Sequence, residues 1–382
     1  MAVAEEYRWP CAQCGSALRY APGQTQLTCD HCGHVQAIPA AAARDTSRAL
    51  AEHDLDLGLR DDLPATATAD VRSTTCPSCG AVVEFTGATY ATECPFCASP
   101  VAVDTGAHRV IKPQALIPFA LTEGQARDAL TGWLGRLWFA PNRLLEYTRK
   151  GRAMNGVYVP YWTFDADTRS RYTGRRGEHY YETRTVTVNV NGRNERRQEQ
   201  VQKTRWYPAS GTVSRMFDDV VVIASTALPA RLANGLEPWD LTALAAYNPD
   251  YLAGFQAEGY TVPLAEGHGT ARAIMARVID SDVRRDIGGD VQQVDQVDSD
   301  FRDETFKHVL LPVWTAAYKY GGKSYRFLVN GQSGEVQGER PYSAWKIAFA
   351  ILLALLLAAG AAVLVDPEAL GLPRSAWIGD AG

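Results

Sequence analysis

The sequence predicts an α+β protein, and three observations carry that reading. Its eight cysteines fall into four C-x2-C pairs near the N-terminus, residues 108–341 mix helical and strand periodicity without a cysteine, and 343–365 is one apolar run. Helices and strands come in separate runs, which fits α+β better than a doubly wound parallel sheet. The 382 residues leave room for two or three modules, and a net charge of −5 gives no global attraction to nucleic acid or acidic lipid.

The first module, residues 1–40, holds CAQCGSALRYAPGQTQLTCDHC from Cys11 to Cys32, and residues 73–103 hold CPSCGAVVEFTGATYATECPFC from Cys76 to Cys97. These are an internal repeat at an offset of 65, with fourteen residues between the pairs of each and a glycine, Gly15 or Gly80, after each first pair. Leu18 and Tyr20 of the first match Val83 and Phe85 of the second. Two tight turns so spaced present four thiolates tetrahedrally, so two zinc ribbons are expected, each with one structural Zn2+. The expected ligands are Cys11, Cys14, Cys29 and Cys32 for one ion, and Cys76, Cys79, Cys94 and Cys97 for the other. Four cysteines leave no open coordination position, which excludes a catalytic metal. His31 and His34 offer a Cys3His variant at the first site, the weaker option beside four thiols.

Between the ribbons, 41–72 reads as a helical linker, with a helix from Thr46 to Leu59 capped around Asp45 to Ser47 and stopped before Pro64. In the 108–341 domain, Thr122 and Gln125 form a capping-box pattern ahead of ARDALTGWLGRLWF, whose apolar residues recur at helical spacing. TRTVTVNV followed by Asn191 and Gly192 predicts a hairpin, and YRFLVNGQSGEVQGERP predicts another through Asn330 to Gly334. The domain also looks duplicated, over 108–210 and 255–341: LTEGQAR precedes YVPYWT, and LAEGHGTAR precedes LLPVWT.

The run from Ser343 to Val365 has no acidic residue and only Lys346 as a basic one, so it is expected to be a transmembrane helix, followed by a short external tail at 366–382. Basic residues before it, including Arg340 and Lys346, then place the bulk of the chain in the cytoplasm, anchored at the inner membrane by a single pass. From Arg169 to Arg205 ten basic residues stand against four Glu, interleaved with Tyr172, Tyr180 and Tyr181; this stretch suits an anionic surface, nucleic acid or a solvated hairpin. GGKS at Gly321 to Ser324 lacks the earlier glycine of a phosphate loop, GQSGE at Gly331 misses a nucleophile elbow by one position, and Arg284 to Asp290 reads as a capped turn. No catalytic constellation or nucleotide site is expected, so the chain reads as non-enzymatic.

Together with the cysteine ribbons, KPQALIPFAL, LWFAPNRL, VYVPYWTFDADTRSRYTG, TFKHVLLPVW and LVNGQSGEVQGERPYSAWKIA resemble a family of bacterial membrane-anchored tandem zinc-ribbon proteins, described as having a transcription-factor-IIB-type zinc finger. Members are often labelled as the primosomal replication-restart helicase, from which this chain departs by lacking a Walker A or DEAD/DEAH box. The resemblance implies protein partners at the membrane, flotillin-like or phage-shock-type. The resulting expectation is a membrane-anchored scaffold or adaptor, with nucleic-acid binding by the ribbons and the 169–205 hairpin as the alternative.

Overall fold

A computed structural model describes residues 9–39, 50–78, 80–84, 91–94, 100–102, 107–137, 154–190, 193–320, 323–339 and 344–365. The first ribbon contributes three short strands, β1 (Leu18–Tyr20), β2 (Gln26–Cys29) and β3 (Val35–Ala37), in one antiparallel sheet. After β4 (His53–Asp54) and helix α1 (Leu55–Leu59) come β5 (Thr68–Thr75) and β6 (Val82–Glu84), then helix α2 (Glu123–Gly135). The architecture is then set by a 36-residue strand, β7 (Asn155–Val190), and its 31-residue neighbour β8 (Arg193–Ile223). Next follow β9 (Gln256–Gly259), helix α3 (Leu264–Ile287), the 30-residue β10 (Val291–Tyr320), β11 (Lys323–Asn330), β12 (Val336–Gly338) and helix α4 (Ala344–Val365).

β7 is the spine. It pairs antiparallel with β8 from Tyr161↔Ile223 to Val190↔Arg193, and with β10 from Asn155↔Thr315 to Gly177↔Val291. Near its start both faces are buried: Val157, Val159 and Tyr161 enter one core cluster and Tyr158 another. Farther along, Trp162, Phe164, Ala166 and Tyr172 share a face that α3 covers. That helix buries Gly267, Ala271, Met275, Ile279, Val283 and Ile287, a stripe at four-residue spacing. Each large side chain so buried stabilises by roughly 1.5–3 kcal/mol. The opposite face, carrying Arg169, Arg171 and Arg175, stays exposed.

Several sequence expectations meet their structures here. The Thr122–Gln125 capping box is present in full at the start of α2. β7 and β8 form the expected hairpin, although Asn191 and Gly192 themselves lie outside the described residues. β11 and β12 pair across Asn330 to Gly334, where Gly334 has φ 82°. β10 and β11 pair antiparallel up to Tyr320↔Lys323, while Gly321 and Gly322 of GGKS lie outside the described residues. Arg284 to Asp290 ends α3 at Gly288, φ 66°, and Gly289, φ 77°. The two segments that suggested a duplication lie side by side, Tyr158 opposite Pro312 and Pro160 opposite Leu310.

Three expectations are corrected. β structure predominates, so the α+β description understates the sheet: long strands organise the domain, and α2 and α3 pack onto them. The helix expected over Thr46–Leu59 is not continuous: a helix starts at Leu55, because His53 and Asp54 pair with Phe306 and Thr305 of β10 and the Asp54 carboxylate caps Leu57 N–H at 3.0 Å; Thr46 to Ala49 lie outside the described residues. The third concerns the C-terminus. The apolar run forms α4, and its described side chains such as Trp345, Phe349 and Leu356 are exposed. Yet among the described residues no helix is long and apolar enough to cross a membrane. This overturns the transmembrane helix, the membrane as partner and the single-pass inner-membrane placement, and the flotillin-like or phage-shock-type partners lose their basis with it.

β7 changes register against β10 between Thr173 and Gly174. A Cβ on Gly174 would lie 2.4 Å from the carbonyl oxygen of Gln293 and 3.1 Å from Ile287 Cδ1. Backbone cannot yield as a side chain can, so Gly174→Ala is expected to destabilise the protein by about 1–3 kcal/mol, read as a lower denaturation midpoint. An unchanged midpoint would contradict this packing.

Candidate metal centre

The first ribbon gathers its four cysteines at one point. Cys11 Sγ lies 3.5 Å from Cys32 Sγ and Cys14 Sγ 3.6 Å from Cys29 Sγ, and all four sulfurs fall within 4.8 Å of one another. Zn–S bonds of about 2.3 Å in a tetrahedron place sulfurs about 3.8 Å apart, so the set fits one ion of that size. Cys11 and Cys29 are buried, whereas Cys14 and Cys32 face outward. His31 and His34 are not part of the cluster.

Local backbone chemistry explains the convergence. Cys11 N–H donates to Ser16 O at 2.6 Å and Gly15 N–H donates to Cys11 O at 2.8 Å; Cys29 N–H donates to His34 O at 2.8 Å and Gly33 N–H to Cys29 O at 2.9 Å. Each turn needs a left-handed residue, and Gly15 and Gly33 both have φ 73°. The backbone N–H of Cys32, followed by that of His31, holds the Cys29 thiol down to about 6. Ser16 N–H lowers Cys14, but hydrogen bonds to the neighbouring thiols, Cys32 foremost, push it up to about 12. Four thiols this close therefore cannot all ionise without a cation between them.

The second ribbon shows part of the same device. Cys76 N–H donates to Ala81 O at 2.8 Å, Gly80 N–H donates to Cys76 O at 2.9 Å, and Gly80 has φ 77°. Cys76 and Cys94 are both buried, while Cys79 and Cys97 lie outside the described residues.

The first ribbon is fastened to the sheet domain. Tyr20 packs edge-on against Tyr251 at 5.2 Å, its hydroxyl donates to Phe119 O at 3.3 Å, and its N–H donates to Ala253 O at 2.9 Å. Trp9 Nε1–H donates to Asp250 at 2.9 Å. A cleft of about 840 Å³ remains beside this contact, lined by Arg19, Asp30, Phe255 and Trp314, and Cys94 of the second ribbon reaches it.

Sequence reasoning missed a second polar cluster. The Lys307 ammonium, nearly buried, lies 2.8 Å from Glu52 Oε1 and 2.8 Å from Asp219 Oδ1, while Asp219 N–H donates to Asp165 Oδ1 at 2.5 Å. Thr305 Oγ1–H donates to Glu52. The β8 bulge brings Asp219 into the cluster: it sets Asp218 and Asp219 against Asp165, with Asp219 at a left-handed φ of 54°; beside it a second bulge sets Asp303 and Glu304 of β10 against Ala166, with Asp303 at 49° and Glu304 paired to Arg272. Glu52 and Lys307 are 255 positions apart, so no local pattern could have paired them. Burial, then the hydrogen bond shared with Glu52, pushes Asp165 up to about 7; Asp165 and Lys307 pull Glu52 down to about 2 against the opposing effect of its own burial.

Comparison with known proteins adds one relative. The chain is 26% identical over 242 residues to the uncharacterized protein YdjG of Bacillus subtilis, an alignment covering 62% of this chain and 66% of that one. The match thus spans just under two thirds of that relative. No family model matches the sequence. No solved structure matches it. The expected tandem zinc-ribbon family is therefore supported only as far as the cysteine cluster.

The carboxyl pair gives a signed pH dependence. Between about pH 4.5 and 7 the native protein keeps a proton on Asp165 that the unfolded chain has released, so stability falls as pH rises through that window; below about pH 4 the ionised Glu52 gives the opposite slope. Asp165→Asn is expected to flatten the decline between pH 4.5 and 7 in denaturant melts. A variant whose melts keep the full decline would contradict the assignment.

Proposed function

We propose that the protein is a non-enzymatic, zinc-binding scaffold or adaptor, in which Cys11, Cys14, Cys29 and Cys32 hold one structural Zn2+ and Cys76, Cys79, Cys94 and Cys97 hold a second. The observation that carries this is the closed set of four thiols on a ribbon packed against the sheet domain. A closed site has no position for a substrate, so the metal acts on shape: it fixes a ribbon whose own apolar core is small. The Cys76 turn, built with the same hydrogen bonds as the first ribbon's, supports the second ion. Rigid attachment of the ribbon to the sheet suits a surface that a protein partner reads.

The alternative, nucleic-acid binding through the ribbons and the 169–205 hairpin, has weaker support. Arg175 pairs with Asp295, Arg176 with Glu178 and Lys203 with Glu182, and Arg205 lies over the Tyr180 ring at 5.0 Å. Charges engaged within the fold leave fewer to neutralise phosphates.

Metal analysis of the purified chain tests the proposal. Two zinc equivalents are expected in the wild type and one in each of Cys11→Ser and Cys76→Ser, since the loss of one thiolate opens a site. Structural zinc supplies on the order of 10 kcal/mol to such a ribbon, so chelation should unfold residues 9–39. A zinc-free wild type that is fully folded, or variants that retain both ions, would overturn it.

A further inference from the structure

The β7–β8 hairpin outgrows its third strand. β10 ceases to pair at Gly177↔Val291, while β7 and β8 continue as a two-stranded arm from Glu178↔Arg205 to Val190↔Arg193. Side chains from His179 to Thr185 are exposed, and Arg205 over Tyr180 braces the arm near its base. A two-stranded ribbon without a packed face is marginal in water and its outer edge is a template for another strand.

One bond reveals which backbone groups that edge offers. Asp290, whose N–H donates to Gly177 O at 2.9 Å, accepts from His179 N–H through its carboxylate at 2.7 Å. His179 therefore turns its backbone away from β8. Because alternate residues of an antiparallel pair exchange bonds with the neighbour, Tyr181, Thr183 and Thr185 turn outward as well. Asp290 caps the edge at His179 and nothing among the described residues pairs with it beyond.

We propose that this edge is a self-association site, where two copies of the chain pair their arms antiparallel about a two-fold axis through Thr183. The residue pattern selects that axis. It sets Glu182, which also holds Lys203 of its own arm, against Arg184 of the second copy, twice by symmetry, Tyr181 against Thr185, and Tyr180 against Val186. Opposite charges and aromatic–β-branched neighbours are the stabilising cross-strand pairs. An axis one residue either way, at Glu182 or Arg184, would oppose like charges. Thr183, Tyr181 and Thr185 form the hydrogen-bonded pairs, so no inward backbone group is disturbed. The contact is isologous and closes at two copies, giving a four-stranded sheet from two arms. It is independent of the metal.

A disulfide at the axis tests this. The hydrogen-bonded pair at position 183 sets the Cα atoms about 5.5 Å apart, within disulfide range. Under mild oxidation the full-length Thr183→Cys chain is expected to form a covalent dimer on non-reducing gels, at least tenfold more than Thr187→Cys, which shares the outward edge but faces the capped position 179, and more than the wild type. By sedimentation, Arg184→Glu should weaken the wild-type dimer roughly tenfold, and Glu182→Arg with Arg184→Glu should restore it to within about threefold. A wild type that is monomeric at every concentration, equal cross-linking at 183 and 187, or a double variant no better than the single would overturn the proposal.

Discussion

From Tyr161 to Gly177, β7 has a hydrogen-bonded strand on each side, and at its start it has packed side chains on both faces. α3, the linker strand and the first ribbon are placed against it or its neighbours. α3 follows its even-numbered face, the segment after the first ribbon is held by two residues of β10, and the ribbon itself rests on Phe119 and Phe255, which stack on each other at 4.3 Å beside Tyr158 of β7. A strand buried on two faces at one end and on one face farther out must change its sequence rhythm. VYVPYWTF is nearly all apolar, and the alternation of arginine with small residues begins only afterwards.

The bulges at Asp165 show how such a long ladder is interrupted. Each inserts an acidic residue in a left-handed conformation, which Asp tolerates better than most side chains. At the β8 bulge Asp219 turns its carboxylate toward Lys307, and the ammonium offsets the burial of Glu52 and Asp219. Charge is thereby used to hold the linker segment, 52–54, where only two strand pairs could form.

Much of this was legible in the sequence where the cause is local. The cysteine spacing, the glycines after each pair, the capping box at Thr122 and the turn at Asn330 all act within a few residues. The helix expected over Thr46–Leu59 was misjudged at 51–54, because Asp54 is a good cap for a helix starting at Leu55 and His53 has a strand partner more than 250 positions away. The carboxylate cluster was invisible for the same reason, its members lying on three strands and a linker. The apolar C-terminal run announced a helix correctly, and α4 forms, but a run of letters alone did not establish a membrane span.

The four-cysteine clasp and the sheet form one structural unit through the Tyr20 contact. Hydrogen exchange on the metal-loaded and chelated protein tests it most directly. Chelation is expected to remove protection from residues 9–39 and from the segment around Tyr251 to Phe255, while β7 and β10 keep theirs. Protection unchanged in both segments, or lost uniformly across the sheet, would contradict it.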